Sequence, residues 1–310
     1  MEEKIHYYRR FKGYDYSKGA SLFISISTEP RANYFGYVEN AMMHLSPFGE
    51  KVMEALEAIP IFNPHIRLYG HILMPDHGHL RVYFPPNLPE PLKTLGAGIG
   101  RFKSYTTTLA RKYLGQRQLW QQGYHDRLCL SRRFIDSVER YIAYNPLKHE
   151  LLKNQSRVFH VMEPLLAERL DPADYWKGIG NLALLAPDVP IASLRVSRSI
   201  KDFSVILEYV SELANNGYSI LSGFISPGEI AVRDMLLLKP QARIIHILSD
   251  TMPCNYKPDS QYLIPLQEGR LLEIARGNAP DEFSRQGCLQ LNEEIVEIAK
   301  AGQGVCLYFK

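Results

Sequence analysis

Two histidines separated by one residue are the side chains of this 310-residue chain whose spacing most directly suggests chemistry. His77 and His79 lie in the run MPDHGHL, within an apolar segment at 68–84 that predicts two strands around a tight turn. Because alternate residues of a strand point to one face, the two imidazoles should lie side by side. Two neutral imidazoles so placed can clamp a metal ion. A half-buried histidine pair without a ligand is the alternative interpretation.

A helix predicted over residues 134–145 carries the second reactive pair. Tyr141 and Asn145 are four residues apart, so they share one face of that helix. A phenol with its usual pKa of about 10 is a poor nucleophile, but it becomes useful where a divalent cation polarises the electrophile. Attack on a DNA phosphodiester would leave a phosphotyrosyl linkage and a free 3′-OH. His77, His79 and Asn145 would give the metal a mixed nitrogen and oxygen shell.

The choice of metal stays open between Mg²⁺ and Mn²⁺. Oxygen ligands suit Mg²⁺, whereas two histidines favour Mn²⁺ or another transition ion.

Three motifs in order carry a resemblance to a known family: MPDHGHL, WQQGYHDRL and RYIAYNPLKHEL. Together they resemble the single-tyrosine HUH transposases, in particular the REP-associated tyrosine transposase branch, over roughly residues 5–155. The resemblance implies that His77 and His79 bind the metal, that Tyr141 is the nucleophile and that Asn145 is the third ligand. It also implies a homodimer, a single-stranded or hairpin DNA substrate, and a 5′-phosphotyrosine intermediate.

Two positions depart from the family pattern. Gly78 stands between the histidines where relatives usually have a hydrophobic residue, and glycine weakens a strand interior. Arg127 stands where relatives often have a histidine. Tyr144 is a competing nucleophile, although the spacing to Asn145 and the family match favour Tyr141. The remaining interpretation of Tyr141 is an aromatic residue that packs at the edge of the core and has no catalytic role.

The helix predicted at 91–114 is rich in basic side chains and glycines. We expect its cations to face DNA, with a solvated helix face as the alternative: Lys93, Arg101, Lys103, Arg111 and Lys112. The glycines of Gly96–Gly100 do not have the spacing of a dinucleotide fingerprint. Tyr105, Trp120 and Tyr124 could stack on unpaired bases, although core packing is the commoner fate of such residues.

Composition limits the class of protein. The chain is 45% hydrophobic and 22% charged, which is ordinary for a globular protein, and its N-terminus has no signal-peptide pattern. Four scattered cysteines indicate reduced thiols, and no apolar run is long enough to span a bilayer. We therefore expect a cytoplasmic location and no membrane contact. Residues 1–155 contain 21 Lys and Arg against 14 Asp and Glu, so that only the first half is basic.

The elements around the motifs predict an α+β domain. Strands at 21–27, 66–73, 77–84 and 120–130 alternate with helices that begin at Pro47, Pro91 and Phe134. The order β-α-β-β-α-β-α is that of a ferredoxin-like fold with an extra C-terminal helix.

The second half predicts a different architecture. Strands at 191–196, 219–224, 243–248, 270–274 and 304–309 alternate with helices at 200–215, 227–238 and 290–301, as in a parallel α/β sheet. The runs IASLRVSRS and GFISPGEIAVRDMLL resemble the Rossmann-type domain of the DNA-processing-protein-A group. Ser226 and Pro227 begin a helix whose N-terminus could bind an anion, and plain capping is the alternative.

These observations predict an HUH domain at 1–155, a connector at 156–189 and a Rossmann-like α/β domain at 190–310. The first domain is expected to cleave and rejoin single-stranded DNA at hairpin or repeat elements, as a transposase. A domesticated protein that grips hairpin DNA without cutting it is the alternative. The last domain is expected to be a binding or regulatory module for a nucleotide or nucleic acid.

Overall fold

The computed structural model describes residues 14–154, 157–277 and 285–310. The chain divides into two compact units between Lys153 and Asn154. Each unit combines β-sheet with helices, which confirms a mixed α and β protein. Within the described ranges, no helix has the length and apolar character needed to cross a membrane. The first thirteen residues, on which the signal-peptide argument rests, lie outside the described residues.

The first unit contains six strands and five helices among its described residues. In chain order they are β1 Ala20–Ser27, β2 Gly36–Glu39, β3 Met42–Leu45, α1 Pro47–Glu57, α2 Ile59–Phe62, β4 Arg67–Met74, β5 His77–Phe84, α3 Pro91–Leu114, β6 His125–Leu128, α4 Arg132–Ala143 and α5 Asn145–Lys153. Strands β4, β5, β1 and β6 form an antiparallel sheet in that order, and β2 and β3 form a separate hairpin.

Alternation along β1 separates the two faces of this sheet. Ile24 and Ile26 are fully buried in the main core with side chains from α1 and α3, whereas Phe23 packs against a small cluster that includes α4. The period of two residues therefore assigns the core to one face and the histidines and α4 to the other. Ser46 caps α1 by accepting the backbone N–H of Gly49, as its sequence predicts.

Three features of the first unit differ from the sequence prediction. The hairpin β2–β3 was not expected, because its turn uses Asn40 and Ala41 with positive φ and contains no glycine. Strand β6 is shorter than 120–130, because Trp120 forms a single bridge with Thr28 and Gly123, with a positive φ of 73°, interrupts the extended backbone before His125. Helix α4 ends at Ala143, and a new helix begins at Asn145 with a proline in its first turn.

The second unit contains one six-stranded sheet. Its elements are β7 Trp176–Gly180, β8 Ile191–Val196, α6 Ser204–Asn215, β9 Ser219–Ser222, α7 Pro227–Leu237, β10 Arg243–Ile247, α8 Leu263–Gln267, β11 Leu271–Arg276, α9 Arg285–Lys300 and β12 Gly304–Phe309. The order is β12-β8-β9-β10-β11-β7, with β7 antiparallel and the other neighbours parallel.

Strand β7 lies inside the segment 156–189, which the sequence predicts to be a connector. It pairs with β11 along its whole length, from Trp176 opposite Arg276 to Gly180 opposite Leu272. Two glycines in five residues and the neighbouring prolines hide the strand pattern in the sequence. Residues 176–180 therefore belong to the second sheet, at its antiparallel edge.

Candidate functional site

The histidine pair lies at the start of β5, on the sheet face opposite the main core. His79 is paired with Ser25 of β1, and His77 with Ser27. The centroids of the two imidazole rings are 4.7 Å apart. His79 is buried, whereas the His77 side chain is 18% exposed. The strand thus brings the two rings side by side beneath α4.

His79 is oriented by contacts on both of its ring nitrogens. Ser25 Oγ lies 2.8 Å from Nδ1, and the hydroxyl of Tyr141 lies 3.5 Å from Nε2, the outer limit of a hydrogen bond. The ring of Phe23 stacks on the imidazole at 5.2 Å. Burial lowers the pKa of His79 to about 3, with further lowering by the charges of His77 and Arg31. The imidazole is therefore neutral at physiological pH, which is the form that binds metals.

Asp76 orients the other histidine. Its Oδ1 lies 2.6 Å from His77 Nδ1, and its Oδ2 accepts a hydrogen bond of 2.8 Å from Arg31. The hydrogen bond from His77, followed by that from Arg31, holds the pKa of Asp76 well below its usual range. A carboxylate bound to one imidazole nitrogen leaves the other nitrogen for a ligand, and histidines that bind metals commonly have such a carboxylate partner.

Tyr141 of α4 contacts His79. Its ring centroid is 5.2 Å from that of His79 and 5.7 Å from that of Phe23. Tyr144 instead caps the C-terminus of α4, where its backbone N–H bonds to the carbonyl of Arg140. Within the described residues, Tyr144 makes no side-chain hydrogen bond or ring contact with either histidine. The geometry places Tyr141, rather than Tyr144, beside the pair.

Asn145 is buried at the first position of α5, after the break in the helix. Among the described residues, no hydrogen bond joins its amide to His77 or His79. In the same part of the chain, no three His, Cys, Asp or Glu side chains are grouped to hold a metal ion. The structure therefore brings His77, His79 and Tyr141 together, and the role of Asn145 as third ligand stays a prediction.

An ion pair fastens α4 to the sheet two residues before the tyrosine. Arg81 of β5 forms a short ion pair with Glu139 of α4 and also donates to Ser21 Oγ. The guanidinium carbon lies 4.2 Å from the ring centroid of Tyr69. Gly70 allows this approach, because a methyl group there would overlap the Glu139 carboxylate.

Sequence reasoning missed most of these supporting residues. Asp76 stands directly before the first histidine, so that its place in the motif could have revealed it. Ser25 and the pair of Arg81 with Glu139 are joined to the site only by strand register and helix docking, for which the sequence has no local signal. His125 lies opposite Ser25 on β6, two strands from His79, and hence about 10 Å away.

Gly78 is buried between the histidines and faces the core. A Cβ at this position would lie 3.6 Å from Ile72 O and from a methyl of Leu73, which is ordinary contact. The glycine is therefore not required by a close backbone approach. Arg127 lies over the ring of Phe134, with 4.6 Å between the guanidinium carbon and the ring centroid.

The five basic residues of α3 have different surroundings. Lys93 pairs with Glu90, Arg101 stacks on Phe62, and Lys112 approaches Tyr113. Lys103 is half-buried and donates to two backbone carbonyls, one of them that of Gly123 at 2.6 Å, and burial lowers its pKa.

Arg111 is exposed and lines an open groove of about 460 Å³ with Arg117 and Gln118. Of the five, Arg111 thus presents its charge to an open groove, whereas Lys103 ties its helix to the following segment. Among the aromatic candidates, Tyr105 is 56% exposed, Tyr124 packs against the core, and Trp120 is buried with its indole donating to Thr106.

The helix start noted in the second unit is capped by its own side chains. Ser226 caps α7 and Glu229 completes a capping box. The Glu229 carboxylate accepts the backbone N–H groups of Val196, Ile225 and Ser226. An acidic side chain thus occupies the position that a bound anion would take, as the capping alternative predicted. A cavity of about 440 Å³ lies beside it, with Arg195 and Arg198 in its lining.

Comparison with known proteins gives a relative in sequence. No family model matches the chain. An uncharacterized protein of Haemophilus influenzae is 30% identical over 165 residues, covering 47% of this chain and 92% of that protein. The chain belongs to the same family as this protein. The relative's description states no activity.

Two solved structures represent the two groups that the motifs resemble. A REP-associated tyrosine transposase bound to a REP hairpin has 17% identity and a TM-score of 0.36, covering 49% of this chain and 77% of its own. DNA processing protein A from Helicobacter pylori, described with a single-stranded DNA binding mode, has 17% identity and a TM-score of 0.37, covering 48% and 69%.

Proposed function

We propose that the first unit is a ferredoxin-like HUH domain that cleaves and rejoins single-stranded DNA through Tyr141. The observation that supports this most directly is the tyrosine hydroxyl 3.5 Å from Nε2 of the buried, neutral His79, with His77 beside it. A nucleophile next to two oriented imidazoles combines a covalent catalyst with a candidate metal clamp.

The reaction is a transfer of a phosphoryl group to the tyrosine. The phenol of Tyr141 loses its proton to solvent, and its oxygen attacks the phosphorus of the scissile phosphodiester. The bond between Tyr141 Oη and phosphorus forms as the bond to the 3′ oxygen breaks, and that oxygen takes up a proton. The products are a 5′-phosphotyrosine and a free 3′-OH. Attack by a 3′-OH on this linkage reverses the step and rejoins the strand.

His77 and His79 have the donor chemistry of a divalent metal site. Asp76 lies at Nδ1 of His77 and Ser25 at Nδ1 of His79, so the two Nε2 atoms would be the ligands, and that of His79 faces the Tyr141 hydroxyl at 3.5 Å. With the amide oxygen of Asn145 they would hold Mn²⁺ or Mg²⁺. Such an ion, when bound, supplies Lewis-acid polarisation of a phosphate oxygen.

The charge of the first unit supports DNA as its partner. The first half of the chain is basic, and Arg111 and Arg117 line an open polar groove, which suits the backbone of single-stranded or hairpin DNA. We place the second unit, a Rossmann-like α/β sheet, as a binding or regulatory module for a nucleotide or nucleic acid. The functional assembly is proposed to be a cytoplasmic homodimer.

The test is the formation of a covalent protein–DNA adduct. Labelled hairpin oligonucleotides are incubated with the protein and Mn²⁺ or Mg²⁺, and a denaturing gel then shows whether label stays with the protein. We expect an adduct that is absent in EDTA. A domesticated, non-cleaving hairpin binder is the second candidate, favoured by Gly78 and Arg127, which depart from the family pattern. It would shift the same oligonucleotides in a native gel and give no adduct.

A further inference from the structure

A lysine on α5 lies beside the ring of the proposed nucleophile. Lys148 Nζ is 5.2 Å from the ring centroid of Tyr141. Its charge also contributes to lowering the pKa of His79, the histidine whose ring contacts Tyr141. Lys148 follows Tyr141 by seven residues, which would be two turns of one continuous helix. In the structure the two residues lie on different helices, Tyr141 on α4 and Lys148 on α5.

The helix that carries Lys148 is held from its other side. Asn145 and Lys148 are three residues apart on α5, so they lie on neighbouring positions of one helix face. The Glu150 carboxylate accepts the backbone N–H groups of Ala41 at 2.6 Å and Asn40 at 3.2 Å, in the turn of the β2–β3 hairpin. This clasp orients α5 and thereby keeps the lysine close to the tyrosine.

Lys148 places a positive charge next to the place where the negatively charged phosphate of the substrate would bind. A phosphodiester attacked by Tyr141 places its phosphorus at the phenolic oxygen, and its charged non-bridging oxygens next to that ring. An ammonium is a compact, flexible point charge that binds phosphate oxygens well. We propose, as an extension of the function proposed above, that Lys148 binds the non-bridging oxygens of the scissile phosphate while Tyr141 attacks it.

The alternative role of Lys148 is structural, with its ammonium only packed on the aromatic ring of Tyr141. In that role Lys148 would support the tyrosine equally whatever the charge of the substrate. In the proposed role its contribution depends on the negative charge of one phosphate. The two roles are distinguished by the rate of adduct formation when the charge is removed from Lys148, from the phosphate, and from both.

The experiment combines protein variants with a chemically altered substrate. A hairpin oligonucleotide is made with a normal phosphodiester or a neutral methylphosphonate at the cleavage position mapped with the unaltered protein. Lys148→Met keeps the length of the side chain and removes its charge, and Lys148→Arg keeps the charge. Lys153→Met, at an exposed position of the same helix, is the matched control.

We expect Lys148→Met to slow adduct formation on the phosphodiester by about 10²-fold, the usual effect of losing one group that stabilises transition-state charge. Lys148→Arg should recover most of the rate, and Lys153→Met should behave as the unaltered protein. On the methylphosphonate, Lys148→Met and the unaltered protein should react at nearly equal rates. In EDTA, where no cleavage is expected, Lys148→Met should weaken binding of the phosphodiester and leave binding of the methylphosphonate unchanged.

Two results would overturn the inference alone. One is an equal loss of rate on both substrates, which indicates packing, and the other is an unchanged rate of Lys148→Met on the phosphodiester. If the unaltered protein forms no adduct at all, the proposed function fails and the inference fails with it.

Discussion

The two histidines of the site are alike in sequence but are oriented by different neighbours. His77 is bonded to the adjacent Asp76, whereas His79 is bonded to Ser25, 54 residues earlier in the chain. The period of a strand is enough to predict that the rings share a face, and the helix predicted around Tyr141 could suggest a partner for them. The orientation of each ring could not be predicted, because it depends on strand register and on side chains that are distant in sequence.

At Tyr141, removal of a single oxygen atom tests the nucleophile. Tyr141→Phe keeps the ring contacts with His79 and Phe23, so folding and hairpin binding should change little. The covalent adduct should disappear, because the attacking atom is missing. Tyr144→Phe is the matched control and should keep the adduct. Loss of the adduct in Tyr144→Phe alone, measured on the same denaturing gel, would exchange the two assignments.

At the histidine pair, metal binding can be measured without substrate. Titration calorimetry with Mn²⁺ should show one site in the unaltered protein and none in His77→Ala/His79→Ala. Asn145→Ala should weaken this site by roughly 10-fold or more, if the amide is a ligand or supports one. His71→Ala, on the neighbouring strand and bonded to Glu57, should have no effect. Unchanged Mn²⁺ affinity in the double variant would contradict the metal site.

At the scale of elements, the sequence predicts correctly the helices and strands whose own residues carry the pattern of that element. Strands β5, β8 and β12 and helix α3 begin and end at the expected residues, because their alternation, capping or flanking prolines are local. The hairpin β2–β3 and strand β7 were missed. The first has a turn without glycine, and the second is stabilised by pairing with β11, whose partner residues lie 92 to 100 positions later in the chain. The break before Asn145 follows from Pro146, which has no N–H to donate to the carbonyl of Ile142 and whose ring would clash with that carbonyl in a continuous helix.

Attachment of α4 to the sheet should depend on the ion pair between Arg81 and Glu139. The apolar contact of α4 with the sheet is a small cluster, so loss of a partly exposed ion pair worth about 1 kcal/mol should matter. Arg81→Met should slow adduct formation about fivefold, and hydrogen exchange in residues 132–143 should accelerate. Arg132→Met removes an ion pair with Asp136 within the same helix and should do neither.

A charge exchange extends this test. Arg81→Glu alone and Glu139→Arg alone should both slow the reaction, while the two together should recover part of the rate by restoring opposite charges. Additive losses in the double variant would show that the two side chains do not act as a pair.

At the scale of the whole molecule, the two units should differ in their affinity for DNA. Each unit has its own buried core, so fragments 1–153 and 154–310 should each fold. The first should bind hairpin DNA with an affinity that falls steeply with salt, since every phosphate contact releases counterions. Arg111→Gln should reduce the magnitude of the slope of log affinity against log salt by about 0.7 to 0.9. Equal affinities of the two fragments, measured by fluorescence anisotropy, would remove the basis for placing DNA binding in the first unit.

In a homodimer, the tyrosine of one protomer could in principle serve the histidines of the other. The link between β6 and α4 is only residues 129–131, and such a link spans at most about 10 Å. The Tyr141 hydroxyl already lies 3.5 Å from His79 of its own chain, and the ion pair of Glu139 with Arg81 holds it there. We therefore expect complete sites within single chains.

The test is a heterodimer of two altered chains, one with Tyr141→Phe and one with His77→Ala/His79→Ala, co-expressed with different tags. This heterodimer should form no adduct, whereas a heterodimer of either variant with an unaltered chain should form one. Adduct formation by the doubly altered heterodimer would show that the sites are shared and that the short link does not determine which histidines the tyrosine serves.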